Sequence, residues 1–364
     1  MRVNWWSNFL DEKDTQAVVE ALNARKITQG NITEEFEGAL ARYLNVPYTV
    51  CVSSGSSALA AAYLACGLRV GDEILTSNVT FVATANAALL LGGVVNSVDV
   101  NDKGVMDVSL LESKIIKNTK IIVPVHMNGV CVEMEPIYEI AKKYGLDIVE
   151  DAAQAFGSKY SHNTENKGRF LGTLSRFGCF SLGMAKNLTT GSGGFIVAHT
   201  KEDADMLKRI RNQGVFDVRK ESHYSQFGFN FKYMDLLAAI GLRQLEIIDE
   251  KLQNVRNIYN FYKKELGGIF RFLESDIENG EVPMRIVVLT DKNKEIFERL
   301  QRSGIQCALE SEPLNQCGYT NIKGDFPKSD YFESHKLILP SGPNFTIEEA
   351  KIVCEEIKKI KGIL

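Results

Sequence analysis

The sequence predicts an α/β fold: a large domain on a mixed, mainly parallel sheet covered by helices, then a small C-terminal α+β domain. Between residues 48 and 200, short apolar runs alternate with amphipathic stretches. These runs are apolar nearly throughout, as strands buried on both faces must be. After about residue 265 the composition shifts and the expected strands and helices become shorter.

Strands are expected at Tyr48–Ser53, Glu73–Ser77, Val94–Val100, Lys120–His126, Asp147–Asp151, Phe177–Leu182 and Gly194–His199. Helical stretches separate most of them, as the crossovers between parallel strands require. No helix separates Phe177–Leu182 from Gly194–His199, so some antiparallel pairing is expected there. The clearest crossover helix starts at Pro136, a first-turn residue, with Ile137, Ile140, Ala141 and Tyr144 on one face. Residues 201–213 form another helix, ending in Lys208, Arg209 and Arg211 before Gly214. Asp235 is expected to cap a long helix carrying Leu237, Gly241, Leu245, Ile248 and Leu252 at helical spacing. A strand at Arg285–Leu289 and helices at Asn293–Ser303 and Ile347–Ile360 complete the small domain. The division expected is 1–245, with an N-terminal helical segment, and 246–364, which opens on the connecting helix.

The 364 residues are 45% hydrophobic and 24% charged, enough chain for a sizeable core in a soluble globular protein. Forty-two basic and 46 acidic residues are well mixed, giving a net charge of -4. That balance argues against a nucleic-acid surface or a polybasic membrane patch. Seven cysteines are scattered without a C-x-x-C pair, so neither a zinc site nor a disulfide framework is predicted. Residues 1–7 lack the apolar core of a signal peptide, and the apolar run Phe81–Leu91 is too short to span a bilayer. A cytoplasmic protein without a metal is expected.

Two residues carry the chemistry. Lys186 follows an apolar strand and enters the Gly/Thr-rich run Asn187–Gly194, while Asp151 ends the strand Asp147–Asp151. A lysine that forms an imine and an aspartate that pairs with a ring nitrogen are what pyridoxal phosphate requires of its protein. Alone, Asp151 reads as a capping residue and Lys186 as a solvated surface charge. Together, both delivered to the carboxyl edge of one sheet, they point to that cofactor. A carboxylate beside the ring nitrogen favours its protonated form, and Lys186 would serve as the base. Ser53–Leu59 follows a strand and opens a helix; alone such a turn is more often simple capping, but its free N–H groups and hydroxyls can also form an anion site. Ser181 could add a hydroxyl. Phe81 ends another strand, where stacking on a ring and burial in the core are about equally expected. For His126 a satisfied structural role is the safer reading.

These motifs together resemble the DegT/StrS family of sugar aminotransferases, a branch of fold-type I pyridoxal phosphate enzymes. The likeness runs over nearly the whole chain. It includes Ile27-Thr28-Gln29-Gly30, Ser54-Gly55-Ser56-Ser57-Ala58-Leu59, Thr80–Asn86, Glu150-Asp151-Ala152-Ala153-Gln154, Cys179-Phe180-Ser181 with Lys186-Asn187, Gly228–Leu236 and Pro340–Pro343. The resemblance implies a fold-type I transferase in which Lys186 holds pyridoxal phosphate as an imine and Asp151 pairs with the ring nitrogen. It implies that Gln154 contacts the ring hydroxyl, that Phe81 stacks on the ring, and that Gly55, Ser56 and Ser181 bind the phosphate. Asn230 would reach the phosphate of the partner subunit in a homodimer with shared sites. The implied reaction moves an amino group from glutamate, through pyridoxamine phosphate, to a keto group of a nucleotide-linked deoxysugar.

Departures from the family pattern fall mostly where substrate is expected to bind. Leu182–Ala185 is smaller and more apolar than usual; Ser192, Lys232 and Val130 stand where acidic, arginine and glutamine residues are common. Residues 161–166 resemble an insertion, and 310–315 lack a customary histidine. The alternatives are a sugar dehydratase of the same family, a lyase, or a non-catalytic regulatory protein. Dehydratase relatives replace the lysine by histidine, lyase relatives carry histidine at the Phe81 position, and binding-only descent erodes the lysine, so Lys186 and Phe81 favour the aminotransferase.

Overall fold

Both faces of the central sheet are covered, which is why its strands carry apolar side chains in either direction. A computed structural model describes residues 2–224, 226–309 and 312–360. Glu310 and Ser311, and residues 361–364 of the expected C-terminal domain, lie outside the described residues. Helices α1 (Glu12–Asn23) and α2 (Asn31–Leu44) precede strand β1 (Tyr48–Val52). Helix α3 (Gly55–Ala65), β2 (Glu73–Ser77), α4 (Ala83–Leu90), β3 (Val94–Val98) and β4 (Thr119–Val123) follow. Next come α5 (Glu135–Tyr144), β5 (Asp147–Asp151), β6 (Phe177–Ser181), β7 (Gly194–Ala198) and α6 (Lys201–Arg211). Helices α7 (Asp235–Glu246) and α8 (Ile248–Leu266) lead to β8 (Arg271–Phe272), β9 (Ile286–Leu289) and α9 (Asn293–Arg302). Helix α10 (Pro327–His335), β10 (Lys336–Leu339) and α11 (Ile347–Lys358) close the described chain.

The seven strands run in the order β1-β7-β6-β5-β4-β2-β3. All neighbours are parallel except β7, which pairs antiparallel with both β6 and β1. The short, helix-free return from β6 produces that reversal, as the sequence predicts. Alternate residues of each strand feed two separate cores. Val149, Phe177, Cys179 and Ile196 pack with α3, whereas Phe180, Phe195 and Val197 pack with α2 and the Leu252 side of α8. Helix α3 is apolar around its whole circumference and is accordingly buried, from Ala58 to Tyr63. A third core lies between the antiparallel β10-β9-β8 sheet and helices α8, α9 and α11. Among the described residues, no helix is long and apolar enough to cross a membrane.

The helix expected to run through residues 235–252 is interrupted. Ile247, with φ -106° and ψ 10°, separates α7 from α8. Helical periodicity continues across the break because both halves bury the same side, so the spacing alone does not reveal it. Asp235 also does something other than cap its own helix. It is the first residue of α7, and its Oδ1 accepts from Gly30 N at 2.8 Å, Thr33 N at 2.9 Å and Thr33 Oγ1 at 2.7 Å. Gly30 precedes α2 and has no side chain to cap it, so Asp235 supplies the cap from 205 residues away. A Cβ at Gly30 would stand 2.8 Å from Asp235 Oδ2, which explains glycine here.

Asp235→Ala should therefore cost about 2–4 kcal/mol, the penalty for orphaning buried donors at a helix start. The check is a lowered thermal midpoint; an unchanged midpoint would show that water replaces the carboxylate.

Candidate active site

One cavity of about 540 Å³ opens at the carboxyl edge of the large sheet, facing the small one. Its lining includes Gly55, Ser56, Phe81, Asp151, Gln154, Ser181 and Lys186, the expected site residues apart from Asn230. The sheet register explains the convergence. Strands β5 and β6 run parallel with Asp151 opposite Cys179, so both chains leave the sheet at one edge. The loop after β6 then carries Lys186 past the end of β5.

Asp151 points to the α3 side of the sheet, and its neighbour Glu150 to the other, by strand alternation. The residue is 5% exposed. Oδ2 accepts from Thr84 Oγ1 at 2.6 Å, and Oδ1 accepts from Ala153 N at 3.1 Å. Thr84 gives its only proton to Asp151, so at 2.8 Å the Thr80 hydroxyl is the donor to Thr84. Burial pushes Asp151 above the ordinary aspartate range, and Thr84, Ala153 and the charge of Lys186 offset this only in part. A buried carboxylate with spare acceptor capacity calls for a cation. Glu150, in contrast, is satisfied: it meets His126 Nε2 at 2.8 Å and accepts from Gly172 N, Leu174 N and Ser175 Oγ. His126 Nδ1 accepts from Val132 N, which fixes the ring's proton on Nε2 and makes the pair structural.

The anion end of the cavity is the start of α3. Ser54 caps it by accepting from Ser57 N at 3.0 Å, while the first-turn N–H groups of Gly55 and Ser56 have no place in the helical ladder. A Cβ on Gly55 would lie 2.9 Å from Ser181 Cβ and 3.3 Å from its Oγ. Glycine thus lets the helix start approach the Ser181 hydroxyl closely enough for both to reach one phosphate. Gln154 Oε1 accepts from Asn128 N at 3.1 Å, leaving its amide hydrogens to offer. Phe81 is 58% exposed at the cavity, so its burial in a core is ruled out within this chain. Asn230 is exposed, bridges to Asn212 and does not line this cavity.

Several cavity features are not evident in the sequence. Thr84 lies inside the quoted Thr80–Asn86 motif, yet nothing local reveals its bond to Asp151. Trp5 and Arg285 line the cavity from opposite ends of the chain. The Arg285 guanidinium carbon sits 4.3 Å from the Trp5 ring centre and 4.5 Å from that of Trp6. The tandem tryptophans are the only sequence signal for this pairing.

The DegT/DnrJ/EryC1/StrS aminotransferase family model matches residues 8–358. The UDP-4-amino-4,6-dideoxy-N-acetyl-beta-L-altrosamine transaminase of Campylobacter jejuni serotype O:23/36 is 31% identical, over 96% of this chain and 95% of that protein. The GDP-perosamine synthase of Escherichia coli O157:H7 is also 31% identical, over 96% of each. The structure of Helicobacter pylori PseC, an aminotransferase involved in pseudoaminic acid biosynthesis, superposes with a TM-score of 0.91 at 26% identity, covering 98% of both chains.

The raised pKa of Asp151 gives a signed prediction for cofactor-free protein. The folded state holds this proton more tightly than the unfolded chain, so stability is lost as pH rises through the folded pKa. Asp151→Asn removes that loss: at neutral pH the cofactor-free variant should melt higher than wild type, with the gap closing on acidification. A lower melting point would mean that Thr84, Ala153 and Lys186 already stabilise the anion.

Proposed function

The chain belongs to the DegT/DnrJ/EryC1/StrS aminotransferase family, and on that footing we propose that it is a pyridoxal phosphate-dependent sugar aminotransferase of amino-sugar biosynthesis. It takes an amino group from glutamate and gives it to a keto group of a nucleotide-linked deoxysugar. The observation that carries this is the meeting of Lys186, Asp151 and the α3 start in one cavity. The nucleotide sugars named for its relatives, UDP- and GDP-linked, support the acceptor class.

Pyridoxal phosphate, when bound, supplies the aldehyde that carries the amino group and the ring that takes up electrons released at the substrate carbon. The protein's residues do the rest. The carboxylate of Asp151 pairs with the ring nitrogen and holds its proton, meeting the need for a cation created by its burial. Gly55 N, Ser56 and Ser181 Oγ hold the phosphate at the positive end of α3. Gln154 donates to the ring oxygen, and Phe81 covers a ring face. Lys186 Nζ takes the proton from the α carbon of glutamate and returns one to the sugar carbon that receives nitrogen.

The working unit is a homodimer, in which Asn230 of each subunit reaches the phosphate held by the other. Its exposure outside its own cavity supports that assignment, as do Phe216, Tyr224 and Phe227, all exposed on the same loop. The protein works in the cytoplasm.

Glutamate added to the loaded enzyme should convert the bound aldehyde's absorbance to that of the amine form; no conversion rejects the assignment. Lys186→Ala should lower turnover by about 10⁴, and borohydride reduction of wild type should fix the cofactor on Lys186 by peptide mapping. Asn230→Ala should weaken cofactor retention about tenfold, the loss of one hydrogen bond to an anion. Full retention in that variant would remove Asn230 from the site.

A further inference from the structure

Lys251 lies on α8 outside the cavity and is 4% exposed. Its Nζ donates to Asn8 Oδ1 at 3.0 Å, to Phe9 O at 3.1 Å and to Gln244 Oε1. Three acceptors thus use the three protons of an ammonium. Asn8 turns this contact toward the cavity: its Nδ2 donates to Lys186 O at 2.9 Å and to Met184 O at 3.3 Å. Residues 5–9 form a strap that carries Trp5 into the cavity lining. One end is held on the small sheet's side, where Ser7 N donates to Ser341 O at 3.0 Å and Ser7 O accepts from Asn344 N at 3.2 Å. The other end is held only as firmly as Asn8 and Phe9 are.

We propose that Lys251 is a positioning residue: through Asn8 it fixes the backbone of Lys186, and so the place of its amine in the cavity. This rests on the reading of Lys186 as the working amine.

The groups facing Lys251 make the clamp sensitive to pH. Helix α1 presents Asp14, Asp11 caps that helix, and α7 presents Arg243 and Gln244. Asp14 accepts from Gln244 Nε2 at 2.8 Å, and Asp11 pairs with Arg243 at 3.3 Å, so much of the nearby negative charge is already engaged. Burial, aided by Arg243 and opposed by Asp14 and Asp11, lowers the Lys251 pKa to about 8. Above that pH a neutral amine offers two N–H bonds and a lone pair to three acceptors, and the clamp loosens. Because the fold lowers this pKa, the native state sheds the proton before the unfolded chain does. Linkage therefore adds to global stability between pH 8 and the ordinary lysine range, so the release is local and is not the onset of unfolding.

Hydrogen–deuterium exchange of the cofactor-free protein, read by mass spectrometry on peptides covering 5–10 and 182–190, tests this without reference to activity. In Lys251→Met both peptides should exchange about tenfold faster than in wild type at pH 7. Asn8→Asp keeps an acceptor for Lys251 but loses the donor to Lys186 O, so only 182–190 should speed up. Wild type at pH 9, corrected for intrinsic rate, should resemble Lys251→Met. Unchanged exchange at 182–190 in Asn8→Asp overturns the proposal, and that variant decides alone if Lys251→Met does not fold. Capture of pyridoxal phosphate by cofactor-free protein, followed by absorbance, should also slow in both variants. Wild type that captures none would sink the reading of Lys186 and leave the exchange result standing.

Discussion

A carboxylate buried at the carboxyl end of β5 sets the terms for the site around it. Water is excluded from Asp151, and its two protein donors do not make up for lost solvation. Such a group is an unfinished interaction that only a nearby cation completes. The parallel pairing of β5 with β6 brings Lys186 to the same place, since the two strands end together and the following loop carries its amine past the end of β5, where its charge offsets the burial of Asp151 only in part. Thr84 and Thr80 hold the carboxylate's orientation through one hydroxyl relay. The neighbouring Glu150 shows the contrast: equally buried, it is satisfied on the opposite face by His126 and backbone donors, and takes no part in the site.

The reversal of β7 is the second constraint. An antiparallel strand between β1 and β6 places the Gly193–Gly194 turn against the start of α3, so the phosphate end and the amine end face one space. The N-terminal strap and the small sheet then close that space with Trp5, Met284, Arg285, Ala308 and Ile338. Contacts with both indoles, which are tilted 47° to one another, hold Arg285 at the cavity wall. The cavity is therefore built from both ends of the chain, and its geometry depends on how the strap is held.

Much of this was legible in the chain. Each strand of the large sheet lies within three residues of its expected ends, because buried parallel strands leave a continuous apolar mark that needs no partner to be recognised. Asp151 and the Gly55–Ser56 turn were legible for a related reason: each sits where a strand stops, strand ends are readable locally, and Lys186 lies in the loop that follows one. Asp235 was not. Its position before a helix suggests a cap for that helix, yet its carboxylate serves α2, a choice that depends on how α2 and α7 pack. The break at Ile247 was hidden likewise, since both helices bury the same stripe.

The sequence by itself determined the order and kind of elements, the presence of a lysine and an aspartate near the ends of neighbouring strands, and the glycine that opens α3. These depend on side-chain periodicity and on residue types whose chemistry is intrinsic. Tertiary structure alone decided that Thr84 orients Asp151, that Trp5 and Trp6 both contact Arg285, and that Asn8 ties Lys251 to Lys186. Those pairs are separated by as many as 280 residues of sequence, and hydrogen bonds and ring contacts act over a few ångströms whatever the chain distance between them.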